Sequence, residues 1–308
     1  MTIQQMEYIV ALDNYRHFVK AAQSCGVSQS TLSTLLKKLE EELDVVIFDR
    51  ESYPMKPTEV GKEIIAQARV VLYNINQLKQ ISLTQRESVS GIVKLAVIPT
   101  VASYVIPKLF ASLNRISPEI NPVILELQTD EIVEKLCRAE IEMAIMATPL
   151  NNSNLLEIPL YYERLVAYIS PCDPMYDREV IDSADLPSER LWMLKDGHCL
   201  RDQVANLCDK KSGHNACFEA GSIDTLINIV DENGGYTVIP ELHIALLNDN
   251  QQRNIRPLVS PEPVREISLV IRHDYVRERL LNVISSAIRS FIPEHMVDTR
   301  LKKFAIRL

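Results

Sequence analysis

Gly26-Val27-Ser28-Gln29-Ser30-Thr31-Leu32-Ser33-Thr34-Leu35-Leu36-Lys37-Lys38-Leu39 decides what the first part of the chain is. Leu32, Leu35, Leu36 and Leu39 recur at helical spacing and form one apolar stripe. The opposite face carries Gln29, Ser30, Ser33, Thr34 and Lys37, short hydrogen-bonding side chains plus a cation. Ser28 is a good N-cap, and Gly26 tolerates the positive φ of a tight turn. Upstream, residues 2–13 place Met6, Ile9 and Val10 on one side of an amphipathic helix, and residues 16–25 do the same with Phe18, Ala21 and Ala22. Two helices, a short turn and a polar-faced third helix fit a unit that lays its last helix in a DNA major groove. Ser28, Gln29, Ser30, Thr31, Ser33 and Thr34 are then the candidates for base edges and neighbouring phosphates, and Lys37 for phosphate. An ordinary helical subdomain with a solvated polar face is the plainer reading of the same pattern.

The next residues extend both readings. Val45–Arg50 and Tyr53–Pro57 suggest a two-stranded wing, with Arg50 and Lys56 in reach of a DNA backbone. Residues 1–66 hold seven Lys/Arg against ten Asp/Glu, so any basic stripe is local. Pro57-Thr58-Glu59 opens a helical pattern without proline to about Glu87. In it Ile64, Ala68, Val71, Ile75 and Leu78 step by 4, 3, 4 and 3, the spacing of a two-stranded seam. Such a stripe predicts a dimer through this helix, with packing on its own domain as the competing account.

From Gly91 onward strands and helices alternate: strand 92–98, helix 103–113, strand 123–127, helix 130–139, strand 143–146, strand 165–170, then the segment around Trp192. A helix at 222–233 closed by Gly234-Gly235, strands at 236–239 and 267–271 and a helix at 277–291 complete the pattern. This predicts an α/β domain of two lobes with mainly parallel strands. Ligands of open α/β sheets gather beyond the carboxyl ends of the strands. Thr100, Thr129, His198, Cys199 and Arg272 each follow or end a strand, so together they outline a small polar cleft, although either threonine alone could be just an N-cap.

Lys195-Asp196-Gly197-His198-Cys199-Leu200-Arg201-Asp202-Gln203-Val204-Ala205-Asn206-Leu207-Cys208 holds two cysteines nine residues apart. Leu200 to Leu207 reads as a short helix, along which the two thiols would lie ~13 Å apart at ~1.5 Å per residue. A disulfide needs Cα atoms within about 7 Å. The two are therefore inert core thiols, or they meet only after the helix unwinds. Cys199 in the first turn, near Lys195, His198 and Arg201, is expected to favour a thiolate, the form that attacks oxidants.

Composition narrows the remaining classes. The 308 residues suit two or three domains, and the net charge of −8 argues against a generally adhesive nucleic-acid binder while leaving room for one DNA-reading module. No apolar run approaches the ~20 residues of a membrane span, and the N-terminus lacks a secretion-signal layout. Six cysteines scattered through a chain this long fit a reducing cytoplasm. Cys217 could compete for Cys199, or Cys208, His214 and Cys217 could hold zinc with loose ligand spacing. Otherwise neither a cofactor nor a metal is expected. A thiol peroxidase would use the same cysteines but would leave Ser28–Lys38 and the seam helix unexplained.

Taken in order, these residues resemble the LysR-type transcriptional regulators over essentially the whole length. Val27–Ser33 and the stretch from Leu39-Glu40 to Arg50 are similar to that family's winged helix-turn-helix. Gly197–Gln203 with Cys208, together with Ile98-Pro99-Thr100-Val101 and Gln128-Thr129, resemble its peroxide-sensing branch. The resemblance implies a winged helix-turn-helix over 1–57, a linker and dimerisation helix over 58–88, and a two-lobed, periplasmic-binding-protein-like α/β effector domain over 89–308. It implies that hydrogen peroxide oxidises Cys199 to a sulfenic acid that Cys208 captures, and that Thr100, Thr129, His198 and Arg272 hold the peroxide. Double-stranded operator DNA, RNA polymerase, thiol reductants and a homotetramer built as a dimer of dimers are the partners to expect. A regulator of the same build that binds a metabolite in its cleft is the alternative. The chain departs from the family at Ser30, where proline is common, and at Asp44, where glycine is common; Asp tolerates the left-handed cap better than most residues.

Overall fold

The computed structural model describes residues 1–83, 90–207, 219–260 and 262–298. It divides into two compact units, the first holding the helices up to residue 83 with Arg138–Glu140 and the second the other described residues from 90 onward.

In the first unit, α1 (Ile3–Tyr15) starts with a capping box from Thr2 and Gln5, and α2 (Phe18–Ser24) follows. Helix α3 (Gln29–Leu43) continues four residues past Leu39, the end the leucine stripe marks. Ser28 caps its start by accepting from the Thr31 amide, and Asp44 closes its end at φ 51°, ψ 42°, the left-handed cap expected of it. The wing is slight: β1 (Phe48–Asp49) pairs antiparallel with β2 (Lys56–Pro57). Tyr8, Leu12, Ala21, Leu32, Leu36, Leu39, Ile47 and Phe48 form one buried core. Helix α4 (Glu59–Leu83) joins that core through Ile65 and Ala68. Its first turn lies so close to the wing that a Cβ on Gly61 would sit 2.0 Å from the Ile47 carbonyl oxygen. The seam stripe therefore has two fates: Ala68 is buried in its own unit, while Val71 and Leu78 are 37% and 68% exposed.

The second unit runs β3 (Gly91–Val97), α5 (Pro99–Ile116), β4 (Ile120–Glu126), α6 (Thr129–Cys137), β5 (Met143–Thr148), β6 (Leu155–Ile169) and β7 (Ile181–Asp182). Then come α7 (Cys199–Leu207), α8 (Ile223–Asn233), β8 (Tyr236–Pro240), α9 (Asp249–Gln252), β9 (Ile255–Val259), β10 (Val264–Arg272) and α10 (Glu278–Arg289). Helix α5 starts four residues before the expected Ser103 because Pro99 takes the first helical turn, where its missing N–H costs nothing.

The expectation of mainly parallel strands gives way to a mixed sheet. Strand β3 lies parallel to β4 and β5, but β10 runs antiparallel to both β5 and β6. The reason is the route of the chain: it leaves the first lobe along β6, builds the second lobe, and returns along β10 in the opposite sense. Residues 155–164 of β6 pair with β10 in the first lobe, and residues 165–169 pair with β8 in the second. One strand thus belongs to both lobes. The second lobe has its own core, in which Leu200 and Val204 of α7 pack with Leu226, Ile227, Tyr236 and Val238.

Candidate functional site

Cys199 opens α7 as a free thiol, 5% exposed. Leu200 and Val204 bind α7 to the second lobe. Cys199 lies on another side, where the Thr129 hydroxyl at the start of α6 donates a hydrogen bond to its sulfur. The turn before it is tight. Gly197 sits at φ 90°, and a Cβ there would approach the Gln128 side-chain oxygen to 2.4 Å, so glycine lets residues 128 and 197 meet.

The cation beside this sulfur is Arg265, and its network is closed. Arg265 is fully buried; its Nε donates to Glu163 Oε2 at 3.0 Å, Nη1 to Thr100 Oγ1 at 3.0 Å, and Nη2 to the Thr100 carbonyl at 3.2 Å and Tyr104 Oη at 3.0 Å. Glu163 is as deeply buried and stands opposite Arg265 in the β6–β10 ladder. It also accepts from Tyr104 Oη at 2.9 Å and from the Leu242 amide at 3.0 Å.

Arg272, the guanidinium expected in the cleft, lies elsewhere. It donates to Asp274 and to the Cys137 carbonyl. Antiparallel pairing explains the error: Glu266 stands beside Thr148 at the carboxyl end of β5, whereas Ile271 stands beside Met143 at its amino end. The amino end of β10 therefore reaches the ligand edge, carrying Arg265, and Arg272 is left at the far edge. Sequence reasoning missed Arg265, Glu163 and Tyr104. The available signal was charge inside two otherwise apolar strand runs, Glu163 in Tyr161-Tyr162-Glu163 and Arg265 with Glu266 in Val264-Arg265-Glu266-Ile267.

The expected thiolate-favouring charges are also not where the spacing put them. Arg201 is paired with Asp196 at 2.9 Å and Glu219 at 2.7 Å, and Lys195 is exposed. Burial, followed by Lys195, pushes the His198 pKa down, so the imidazole stays neutral. Burial pushes the Cys199 thiol up, opposed first by Arg265 and then by Thr129 and the Leu200 amide. At rest the sulfur is a protonated thiol with a cation close by.

His198 is buried, and neither ring nitrogen has a partner among the described residues. It lines a cleft of about 530 Å³ between the lobes together with Thr100, Ser103, Ser222, Asp224 and His243. The structure thus brings Thr129 and Cys199 into contact, sets Thr100 against Arg265, and places His198 with Thr100 on the cleft. Cys208, His214 and Cys217 lie outside the described residues.

In the first unit, Ser28, Gln29, Ser30, Thr31, Thr34 and Lys37 are exposed on α3 and Ser33 is half-buried. Ser28 Oγ is also bonded to Ser30 Oγ at 2.9 Å and Thr31 Oγ1 at 2.8 Å, so these hydroxyls already partner one another. Lys56 is exposed on the wing, but Arg50 is drawn to Glu40 at 2.7 Å. No described helix is long and apolar enough to cross a membrane.

Comparison with known proteins agrees with both halves. Residues 3–62 match the model for bacterial regulatory helix-turn-helix proteins of the lysR family, and residues 86–292 match the LysR substrate binding domain. The chain is 35% identical over 304 residues to the DNA-binding transcriptional dual regulator OxyR of Escherichia coli K12, covering 98% of this chain and 99% of that protein. It is 34% identical over 301 residues to the hydrogen peroxide-inducible genes activator of Haemophilus influenzae, covering 95% and 99%. A full-length OxyR variant from Pseudomonas aeruginosa superposes with a TM-score of 0.81 at 31% identity, covering 94% of this chain and 98% of that one. The chain belongs to the LysR family of bacterial transcriptional regulators, DNA-binding proteins rather than enzymes, and within it to the OxyR branch.

Proposed function

We propose that the protein is a hydrogen-peroxide-sensing transcriptional regulator whose DNA binding switches through a reversible Cys199–Cys208 disulfide. One observation supports this most directly: a buried free thiol opens a helix between two lobes, hydrogen-bonded by Thr129 and placed near Arg265. The Cys199 sulfur attacks one peroxide oxygen, the O–O bond breaks, and water leaves, carrying the thiol proton. The product is a sulfenic acid at Cys199. The Cys208 thiol then attacks that sulfur and expels a second water, so two thiols are oxidised as one peroxide is reduced to two waters. Thiol reductants reverse the step by exchange.

Helical backbone from Cys199 to Leu207 spans about 12 Å at ~1.5 Å per residue, beyond disulfide reach, so capture by the next residue requires α7 to unwind. Unwinding frees Leu200 and Val204 from the second-lobe core and repacks the lobes. In a homotetramer paired through α4 and its exposed Val71 and Leu78, that repacking shifts the spacing between DNA readers. Residues 1–57 read double-stranded DNA through the exposed face of α3, with Lys56 on phosphate; 58–88 pair the chains; 89–308 sense and contact RNA polymerase.

The test counts free thiols after a sub-millimolar peroxide pulse, by peptide, in wild type and Cys199→Ser, alongside an operator footprint. Wild type should lose Cys199 and Cys208 together and change its footprint, and Cys199→Ser should do neither. No thiol loss in wild type ends the proposal. The size of the cleft favours a second reading, a small metabolite between the lobes. A footprint that answers a small organic acid but not peroxide would select it.

A further inference from the structure

One buried cation, Arg265, serves a glutamate and a cysteine near the proposed switch. Arg265 is paired with Glu163 at 2.9 Å and donates to Thr100, which lines the cleft together with His198, the neighbour of Cys199; its charge favours ionisation of that sulfur. All three groups are at most 5% exposed, so their charges are little screened. Every partner of the Glu163 carboxyl is a donor: Arg265, the Tyr104 hydroxyl and the Leu242 amide. Burial pushes the Glu163 pKa up, and Arg265 foremost, then the Leu242 amide and Tyr104, oppose it by favouring the carboxylate. The donors come from α5, from β10 and from the turn after β8, so the carboxylate ties both lobes to the cation.

We propose that Glu163 is a positioning residue of the sensor: it fixes the Arg265 guanidinium and takes up part of its charge, so that less of that charge reaches Cys199. The proposal rests on Cys199 being the sensor. Among the other groups around the sulfur only Asp202 acts in the same direction, and it does so by its own charge and not through Arg265. Asp202, on α7 itself, disfavours the thiolate; His198 is neutral; Tyr104 and Tyr161, next to Arg265, are held protonated by burial; Thr129 donates from α6. Removing the negative charge from Glu163 leaves the thiolate as the remaining anion for Arg265, and ionisation becomes easier.

The experiment is site-resolved alkylation of Cys199 in the full chain across pH, read by peptide mass spectrometry, for wild type, Glu163→Gln and Glu163→Asp. Thermal melts confirm that each variant is folded. Glu163→Gln should move the profile about one pH unit lower and speed alkylation at neutral pH roughly threefold, since the thiolate gained is partly offset by its lower nucleophilicity. Glu163→Asp, with the charge kept but drawn back by one methylene, should shift the same way by less. Should the Gln variant not fold, the Asp variant decides alone. A profile that stays with the wild type in a folded variant, or moves to higher pH, overturns the proposal. Alkylation needs no peroxide, so the two failures are distinguishable: a protein indifferent to peroxide yet shifted by Glu163→Gln keeps the coupling of Glu163 to Cys199 and loses its role in sensing.

Discussion

Helices α3 and α7 are built on opposite principles. The first is 15 residues long, closed at both ends by Ser28 and Asp44, and buries one leucine stripe while its polar face stays in solvent. The second is nine residues long, below the ~12–15 at which an isolated helix becomes even marginal, and it is held by what surrounds it. Leu200 and Val204 are buried in the second-lobe core, and Cys199 is bonded by Thr129. Reading and folding are separable on α3 because they occupy different faces. On α7 the thiol and the residues that hold the helix are both buried within two turns, which suits the unwinding proposed for it.

The largest expected effect tests α7. Cys199→Ser should abolish the change in operator footprint after peroxide, an all-or-none loss, whereas Cys208→Ser should leave a sulfenic acid at Cys199 that a sulfenate-selective probe labels. Next in size, Arg265→Met should cost about 3–5 kcal/mol in a denaturant melt, since it strands the buried Glu163 charge. Arg272→Ala, on the same strand, should leave Cys199 reactivity unchanged; slower oxidation of Cys199 in that variant would undo the placement argued from antiparallel pairing.

On α3, Gln29→Ala should weaken operator binding by about 1–3 kcal/mol without moving the melting temperature. A loss of stability of that size would erase the division between its faces. Ser28→Ala should cost about 1 kcal/mol of stability through the lost cap.

The smallest effect is a pH dependence. Burial holds His198 and His243 below the ordinary histidine range, so the folded state favours their neutral forms. The stability tied to them is fully present above about pH 6.5 and is lost as pH falls through their lowered folded values. Melting temperature followed downward from pH 7 should decline, and His198→Gln should flatten that decline.

Much of the first unit was legible because its signals are local. The leucine stripe, Ser28 and Gly26 specify a helix and its entrance within 14 residues. The α3 extension to Leu43 was not legible from the stripe, because the Glu40-Glu41-Glu42 run carries no apolar period to follow. In the second unit the strands and helices were readable one by one, and so were the segments carrying Thr100, Thr129, His198 and Cys199. Strand direction was not. An antiparallel β10 looks the same in sequence as a parallel one, and reversing it exchanges Arg272 for Arg265 at the site. The Cys199 environment failed for a related reason: spacing brings Lys195 and Arg201 close along the chain, but Arg201 turns to Asp196 and Glu219. Glu163, whose partners lie 59, 79 and 102 residues away, had no local signal beyond a charge in an apolar run.

The continuity of β6 has a mechanical consequence. Its 15 residues form one continuous strand of about 50 Å at ~3.3 Å per residue, with a register shift at Leu160, laced to β10 at one end and to β8 and β9 at the other. Jaws on a loop hinge could swing wide, but jaws sharing a rod move chiefly by torsion along it. Glu163 sits two residues before the pairing passes from β10 to β8, so torsion there would act on the bonds its carboxylate accepts from Tyr104, Arg265 and the Leu242 amide.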